Sequence, residues 1–308
     1  MEKIVVPVIL GPTAVGKTDL ALAAAERFGY EVISCDSRQI YRFMDVGTAK
    51  PTLEQRGRVH HWLIDILEPS QAYSAFAFAS DALKIIRESA VRKKKVLICG
   101  GTGLYFYILS NGARALDEAD AQVRTRLLEE AKVSGAPSLH ERLKKVDPQT
   151  ASRIHPNDLQ RLLRALDIFS RSGQSVSALQ KERLSPPQDI DFRTIVISRP
   201  REILYERINR RVDMMIGQGL REEFLSLRAR GYTEMSPGMV CVGYREFFDV
   251  ERGECGLTCA SNLIKQNSRR YAKRQMTWLR NKTGAQHFID LSDEDDSRLY
   301  RWFERLEF

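Results

Sequence analysis

An apolar run that halts on a glycine-rich turn, Ile4-Val5-Val6-Pro7-Val8-Ile9-Leu10 and then Gly11-Pro12-Thr13-Ala14-Val15-Gly16-Lys17-Thr18, restricts what this chain can become more than any other stretch. The run reads as a buried strand and Asp19 to Glu26 as the helix leaving the turn, the setting that a P-loop requires. Gly11 and Gly16 let backbone N–H groups turn around an oxyanion while the new helix points its positive end at it. Lys17 adds a point charge, and the Thr18 hydroxyl is placed to ligate a Mg2+ ion that bridges phosphate oxygens. Gly11, Pro12, Thr13, Ala14, Val15, Gly16, Lys17 and Thr18 therefore predict a di- or triphosphate site, whether or not the phosphate is a nucleotide's.

With 308 residues the chain has room for an α/β core plus an inserted module. Its five cysteines are odd in number and make no zinc-type double pair, so reduced thiols and a cytoplasmic protein are expected. No run approaches a membrane span, and the first apolar run is too short for a signal peptide. The formal charge of +8 decides less than its distribution.

Glu31 to Cys35 reads as a second strand that delivers Asp36-Ser37-Arg38-Gln39 at its carboxyl end, where α/β sheets place ligands. Asp36 is open to three roles there: a helix cap, a magnesium ligand, or a proton acceptor for a substrate opposite the phosphate. A third strand is expected over His60 to Ile66 and a helix from Ser74 to Lys93. Strand Val96 to Cys99 ends on Gly100-Gly101-Thr102-Gly103-Leu104-Tyr105, where a nucleotide hydrolase would carry a Walker-B aspartate, and this weakens the case for ATP chemistry.

From about Ala113 the sequence is polar and helical, with Ser138 and Glu141 read as a capping box, Asp147-Pro148 and Pro156-Asn157-Asp158 as helix starts and Gly173 as a stop, until Pro186-Pro187 marks the return. The segment Arg201 to Arg211 reads as a helix with Arg207, Arg210 and Arg211 close together, either closing on phosphate or forming a solvated face. Cys255 to Ile289 contains no Asp or Glu. Lys265, Arg269, Lys273 and Arg280 share one helical face there, with Ile264, Tyr271, Trp278 and Leu279 toward the other, a pattern that favours a nucleic-acid backbone.

Four blocks taken in order resemble the tRNA dimethylallyltransferases, also called tRNA isopentenyltransferases: the P-loop; Asp36-Ser37-Arg38-Gln39-Ile40-Tyr41 running on to Gly47-Thr48-Ala49-Lys50-Pro51; Gly100 to Tyr105; and His155-Pro156-Asn157-Asp158 with Gln160-Arg161. Val242-Gly243-Tyr244-Arg245 and Lys273-Arg274-Gln275-Met276-Thr277-Trp278-Leu279-Arg280 extend the likeness over nearly the whole chain. The resemblance implies a P-loop NTPase-like parallel sheet flanked by helices, residues 1–113 and 191–308, with an all-helical insert over 114–190.

It also implies an activity: transfer of dimethylallyl from its diphosphate to N6 of the adenosine 3′ to the anticodon, in tRNAs that read codons beginning with U. Asp36 matches the residue that takes the amino proton, with Thr102 near the same base, while Lys17 and Arg211 face the diphosphate. Ser37, Arg38, Gln39, Arg124, Gln160, Arg161, Leu162, Leu163, Arg164, Gly243, Tyr244, Arg245, Lys273, Arg274, Gln275 and Arg280 match positions that meet tRNA, here its anticodon stem-loop. A bacterial-type monomer is expected. The competing readings are an isopentenyltransferase acting on free AMP or ADP, a small-molecule P-loop kinase, and an RNA-binding module with a vestigial P-loop.

Overall fold

The computed structural model describes residues 3–112, 120–181, 185–285, 287–291 and 297–306. Its contacts divide the chain into two compact units, Met1–Ser110 with Pro187–Phe308, and Asn111–Pro186. The insert's expected first residue, 114, lies outside the described residues.

The first half of the larger unit runs β1 (Ile4–Leu10), α1 (Lys17–Phe28), β2 (Tyr30–Cys35), α2 (Leu53–Arg58), β3 (His61–Trp62), α3 (Ala75–Val91), β4 (Lys95–Gly100) and α4 (Gly103–Asn111). The smaller unit holds α5 (Ala121–Ser134), α6 (Ala136–Val146), α7 (Pro148–Ala151), α8 (Leu159–Ser172) and α9 (Val176–Lys181). The larger unit resumes with β5 (Ile190–Ser198), α10 (Arg201–Gly217), α11 (Leu220–Ala229), α12 (Arg245–Glu251), α13 (Leu257–Lys282), β6 (His287–Asp290) and α14 (Ser297–Glu304).

All six strands are parallel, in the order β3-β2-β4-β1-β5-β6. Alternation along the central strands sends side chains to opposite faces. Val8, Leu10 and Ile98 meet Phe78, Ile86 and Phe106 on one side. Ile9, Leu97 and Ile195 meet Leu20, Ala24 and Ile208 on the other. Burial on both faces is why these strands read as unbroken apolar runs.

Helix ends follow the sequence signals closely. The Ser74 hydroxyl accepts the Ala77 N–H to open α3, and α1 stops at Gly29, whose φ of 72° suits glycine. The third strand is shorter than the His60 to Ile66 expectation, because Leu63 and Asp65 take φ values of 63° and 56° and leave the pleat after Trp62.

In the smaller unit Leu127, Leu139, Leu143, Leu162, Leu163 and Leu166 form a separate core. Asp147 caps α7 and Asp158 caps α8, which ends on left-handed Gly173. The Ser138–Glu141 capping box is not formed. Helix α6 already starts at Ala136 behind Gly135, so Ser138 lies inside it. Leu162 and Leu163, matched to tRNA-meeting positions, are 0% and 2% exposed and pack into this core.

Candidate active site

The register places Leu10 beside Gly100 and Gly100 beside Cys35, so the carboxyl ends of β1, β4 and β2 lie side by side. The three segments singled out in the sequence leave from those ends: the P-loop, the Gly101–Thr102 turn and the Asp36 loop. They border a cavity of about 380 Å³.

The P-loop is held open by arginines behind it. Arg199 Nε donates to the Val15 carbonyl at 3.0 Å, Arg207 Nε to the Ala14 carbonyl at 2.9 Å, and Arg211 Nη1 to the Thr13 hydroxyl at 3.4 Å. A carbonyl and the next N–H point opposite ways across a planar peptide. Drawing the Ala14 and Val15 carbonyls onto arginines therefore turns the Val15 and Gly16 N–H groups the other way, beside the N–H groups that α1 leaves without intrahelical partners. Gly11 is required for closeness, since a Cβ there would lie 2.8 Å from the Ile197 carbonyl oxygen.

Lys17 Nζ donates to the Pro12 carbonyl at 2.6 Å. Enclosure of this ammonium lowers its pKa to about 8, against the opposing pull of Cys99 and Asp36. Burial likewise lowers the pKa of the Arg211 guanidinium, with Asp36 and Asp19 countering it. Two desolvated cations beside the loop define a place for a compact anion.

Asp36 borders the cavity, and its Oδ1 accepts the Arg38 N–H at 2.8 Å and the Gln39 N–H at 3.4 Å, which fixes the carboxylate. The Thr102 hydroxyl accepts the Ser37 N–H at 3.0 Å, tying the end of β4 to the same loop. Arg38 reaches the Pro237 carbonyl at 2.8 Å, and Gln39 links Ser34 to the carbonyls of Thr48 and Ala49. The block Gly47 to Pro51 is braced by the protein, and Gly47, Thr48 and Pro51 also border the cavity. Glu223 takes the N–H groups of Asp45, Val46 and Gly47, and buried Lys50 pairs with Asp45 and Asp65 at 2.5 Å each.

An apolar part of the cavity wall is formed by Ala21, Val32, Ile208, Val212, Met215 and Val242. Gly243, Arg245, Tyr271 and Arg274 also border it. Tyr271, read as lying toward the face of α13 away from the basic residues, is 36% exposed as a whole residue, while burial of its phenol, with Asp36 nearby, pushes that group up to about 12.

Two of the residues matched to tRNA contacts turn their side chains inward. Tyr244 is fully buried, with its hydroxyl donated to Glu223 at 2.6 Å. Gln275 is 8% exposed and binds protein at both ends of its amide: Oε1 accepts the Thr13 N–H and Nε2 donates to the Gly101 carbonyl, each at 2.9 Å. The basic face of α13 is also divided. Lys265 pairs with Asp213 and Arg269 with Asn209, both on α10, whereas Lys273, Arg274 and Arg280 are exposed. In the smaller unit Arg124 donates to Gln160 at 2.9 Å, Arg161 pairs with Asp158 and Arg164 with Asp167.

Sequence reasoning missed Arg199, Glu223 and the role of Gln275. Arg199 directly follows β5 at the sheet's carboxyl edge, the one signal that could have found it. Glu223 and Gln275 carry no local signal, because the backbone groups they bind lie 176 to 178 and 174 to 262 residues away.

The model of the IPP transferase family matches residues 39–282. The chain belongs to that family. A tRNA dimethylallyltransferase of Syntrophobacter fumaroxidans is 43% identical over 305 residues, covering 98% of this chain and 84% of its own length. One from Thermotoga petrophila is 44% identical, with 89% of each chain covered. Among solved structures, the full-length tRNA isopentenylpyrophosphate transferase of Bacillus halodurans superposes with a TM-score of 0.71 at 38% identity, over 99% of this chain and 95% of that one. A eukaryotic dimethylallyltransferase acting on tRNA gives 0.78 at 26% identity, over 97% and 75%. The P-loop core with helices on both faces is thus the architecture of this family of transferases, and no helix among the described residues is long and apolar enough to cross a membrane.

Proposed function

We propose that this protein transfers the dimethylallyl group of dimethylallyl diphosphate to N6 of the adenosine 3′ to the anticodon, in tRNAs reading codons that begin with U. The observation that carries the reading is one cavity bordered by a cationic phosphate loop, by apolar side chains and by a fixed carboxylate. Relatives named for this activity at 43 to 44% identity support it.

The bond from the allylic carbon to the diphosphate oxygen breaks as N6 bonds to that carbon. Lys17, Arg211 and the loop N–H groups take up the charge that builds on the leaving diphosphate. Asp36, held by two backbone N–H groups, aims the adenine amino group and accepts the proton it loses. The Thr102 hydroxyl accepts from Ser37, so its own proton remains to be donated to the base.

A Mg2+ ion fits the donors on chemical grounds. The Thr18 hydroxyl borders the cavity, and no cluster of three or more His, Cys, Asp or Glu suited to a metal occurs among the described residues, so substrate phosphate oxygens would supply most of the ligands. When bound, the ion adds positive charge at the leaving diphosphate. The base is reached from a single-stranded loop, where leaving the stack costs less than from a duplex.

The test is transfer of labelled dimethylallyl to unmodified tRNA, run beside free AMP, with magnesium and without ATP. Label on tRNA alone is expected. Label on AMP would move the protein to the free-nucleotide branch, and label on neither would reject the reading. Asp36→Ala should abolish transfer while tRNA affinity stays within a few-fold, and wild-type turnover in that variant would remove Asp36 from its role.

A further inference from the structure

The amide of Gln275 bridges the P-loop and the carboxyl end of β4. In P-loop NTPases the terminal phosphate lies between the loop and the end of the strand beside β1, the strand that carries the Walker-B carboxylate. Here that strand is β4, which ends in Gly100-Gly101, and Gln275 spans the gap. It accepts the Thr13 N–H on one side and donates to the Gly101 carbonyl on the other, at 2.9 Å each. The neighbouring groups are partly engaged as well. One of the three Lys17 donors is on the Pro12 carbonyl, and the Thr13 hydroxyl accepts from Arg211.

We propose that Gln275 limits the phosphate cradle to two phosphates, making it the residue that selects a diphosphate over a triphosphate. This rests on the P-loop being the diphosphate site of the reaction proposed above. The fit is close. A Cβ built on Gly101 would lie 2.5 Å from Gln275 Nε2, so glycine at 101 is what lets the amide enter the gap. A third phosphate could enter only by displacing an amide that satisfies two backbone groups, and its negative charge would then face the Gly101 carbonyl without the donor that now covers it. Selection of this kind matters inside a cell, since nucleoside triphosphates offer the same oxyanions to any P-loop. It also gives α13 a second role, because the helix that carries Lys273 and Arg274 on its surface sends Gln275 inward to close the phosphate loop.

The test uses the whole protein and two probes, pyrophosphate and tripolyphosphate, as competitors of labelled dimethylallyl diphosphate binding. Wild type should bind pyrophosphate at least tenfold more tightly than tripolyphosphate. Gln275→Ala should shrink that ratio at least tenfold by opening the gap. Gln275→Glu keeps an acceptor for the Thr13 N–H and adds negative charge, so its ratio should stay at the wild-type value or rise. Because Gln275 is buried, a thermal melt accompanies each variant, and a ratio that shrinks in Gln275→Ala but not in Gln275→Glu is what general loosening would not produce. A Gln275→Ala ratio within twofold of wild type, or a wild type indifferent to phosphate number, overturns the proposal. Failure of wild type to bind pyrophosphate at all would instead reject the P-loop assignment on which it rests.

Discussion

The arginines of α10 and those of α8 sit at similar helical spacing, yet the structure holds them in opposite ways. Arg207 and Arg211 are one turn apart and both reach the P-loop, one to a carbonyl and one to a hydroxyl. Arg161 and Arg164 pair with carboxylates three residues away along the chain, Asp158 and Asp167, and the Arg161 side chain is 65% exposed. The first pair is held against the loop by hydrogen bonds, so its charge is directed to one place and to a small anion. Arg161 keeps solvent around it, and an exposed pair of that kind is worth about 0–1 kcal/mol, easily exchanged for a phosphate, whereas the Asp167 partner of Arg164 is only 3% exposed. One set is preorganised for chemistry; the other is suited to an extended polyanion.

The largest effects should come from the committed cations. Arg211→Ala and Lys17→Ala should each lower single-turnover transfer on the order of 100- to 1,000-fold, the usual loss when one stabilising donor of a developing oxyanion is removed. tRNA affinity should change little in either variant. Loss of tRNA binding equal to the loss of rate would erase the distinction between the two sets.

A smaller effect separates neighbours within α10. Arg207→Ala frees the Ala14 carbonyl and should weaken pyrophosphate binding on the order of tenfold, about 1.4 kcal/mol. Arg210→Ala should leave it unchanged, because Arg210 pairs with Glu206 in the open, at 70% and 71% exposure. Calorimetric titration of both variants decides whether holding the loop's carbonyls matters or whether any nearby positive charge will do.

The low pKa of Lys17 gives a pH signature. In the free protein burial puts it at about 8, so above that pH the ammonium is progressively lost, while a diphosphate binds the protonated form. Pyrophosphate affinity should therefore fall as pH rises through 8, by up to roughly tenfold per unit, with proton uptake on binding. Lys17→Arg should flatten the profile between about pH 7.5 and 9.5, since guanidinium stays charged there. A wild-type profile flat over that range would mean that the ammonium is not enclosed.

Most of the core is legible in the sequence because its signals are local. The β1 run, the two loop glycines, the Ser74 cap and the Gly173 stop each depend on neighbours within a few residues, and each stands where the sequence implies. The strand expected over His60 to Ile66 is too long because positive φ at Leu63 and Asp65 is set by surroundings; the Asp65 carboxylate meets Lys50 and Arg56. At the site, Lys17, Thr18, Asp36 and Thr102 are readable from motif and strand ends. Gln275, Tyr244 and Leu162 look like RNA-facing residues in the sequence because a family motif records which residues matter without recording which way they point. Direction is the missing quantity, and burial supplies it.

The smallest effect should come from the loosely held charges. Neutralising Arg124 and Arg161 together should lower the salt dependence of tRNA binding by about 0.7 to 0.9 in log–log slope for each phosphate no longer neutralised. The rate at saturating tRNA should not change. Lys273→Ala with Arg280→Ala, on the exposed part of α13, should behave the same way, whereas Lys265→Ala should not, because that lysine already faces Asp213. The pairing explains the order: a charge held at 2.5 Å from a carboxylate must give up that partner before it can gain a phosphate, so removing it sacrifices little RNA affinity. If Lys265→Ala lowered the slope as much as the double variant on exposed positions, the Lys265–Asp213 ion pair would not survive RNA binding, and the division of α13 into a bound and an available half would fail with it.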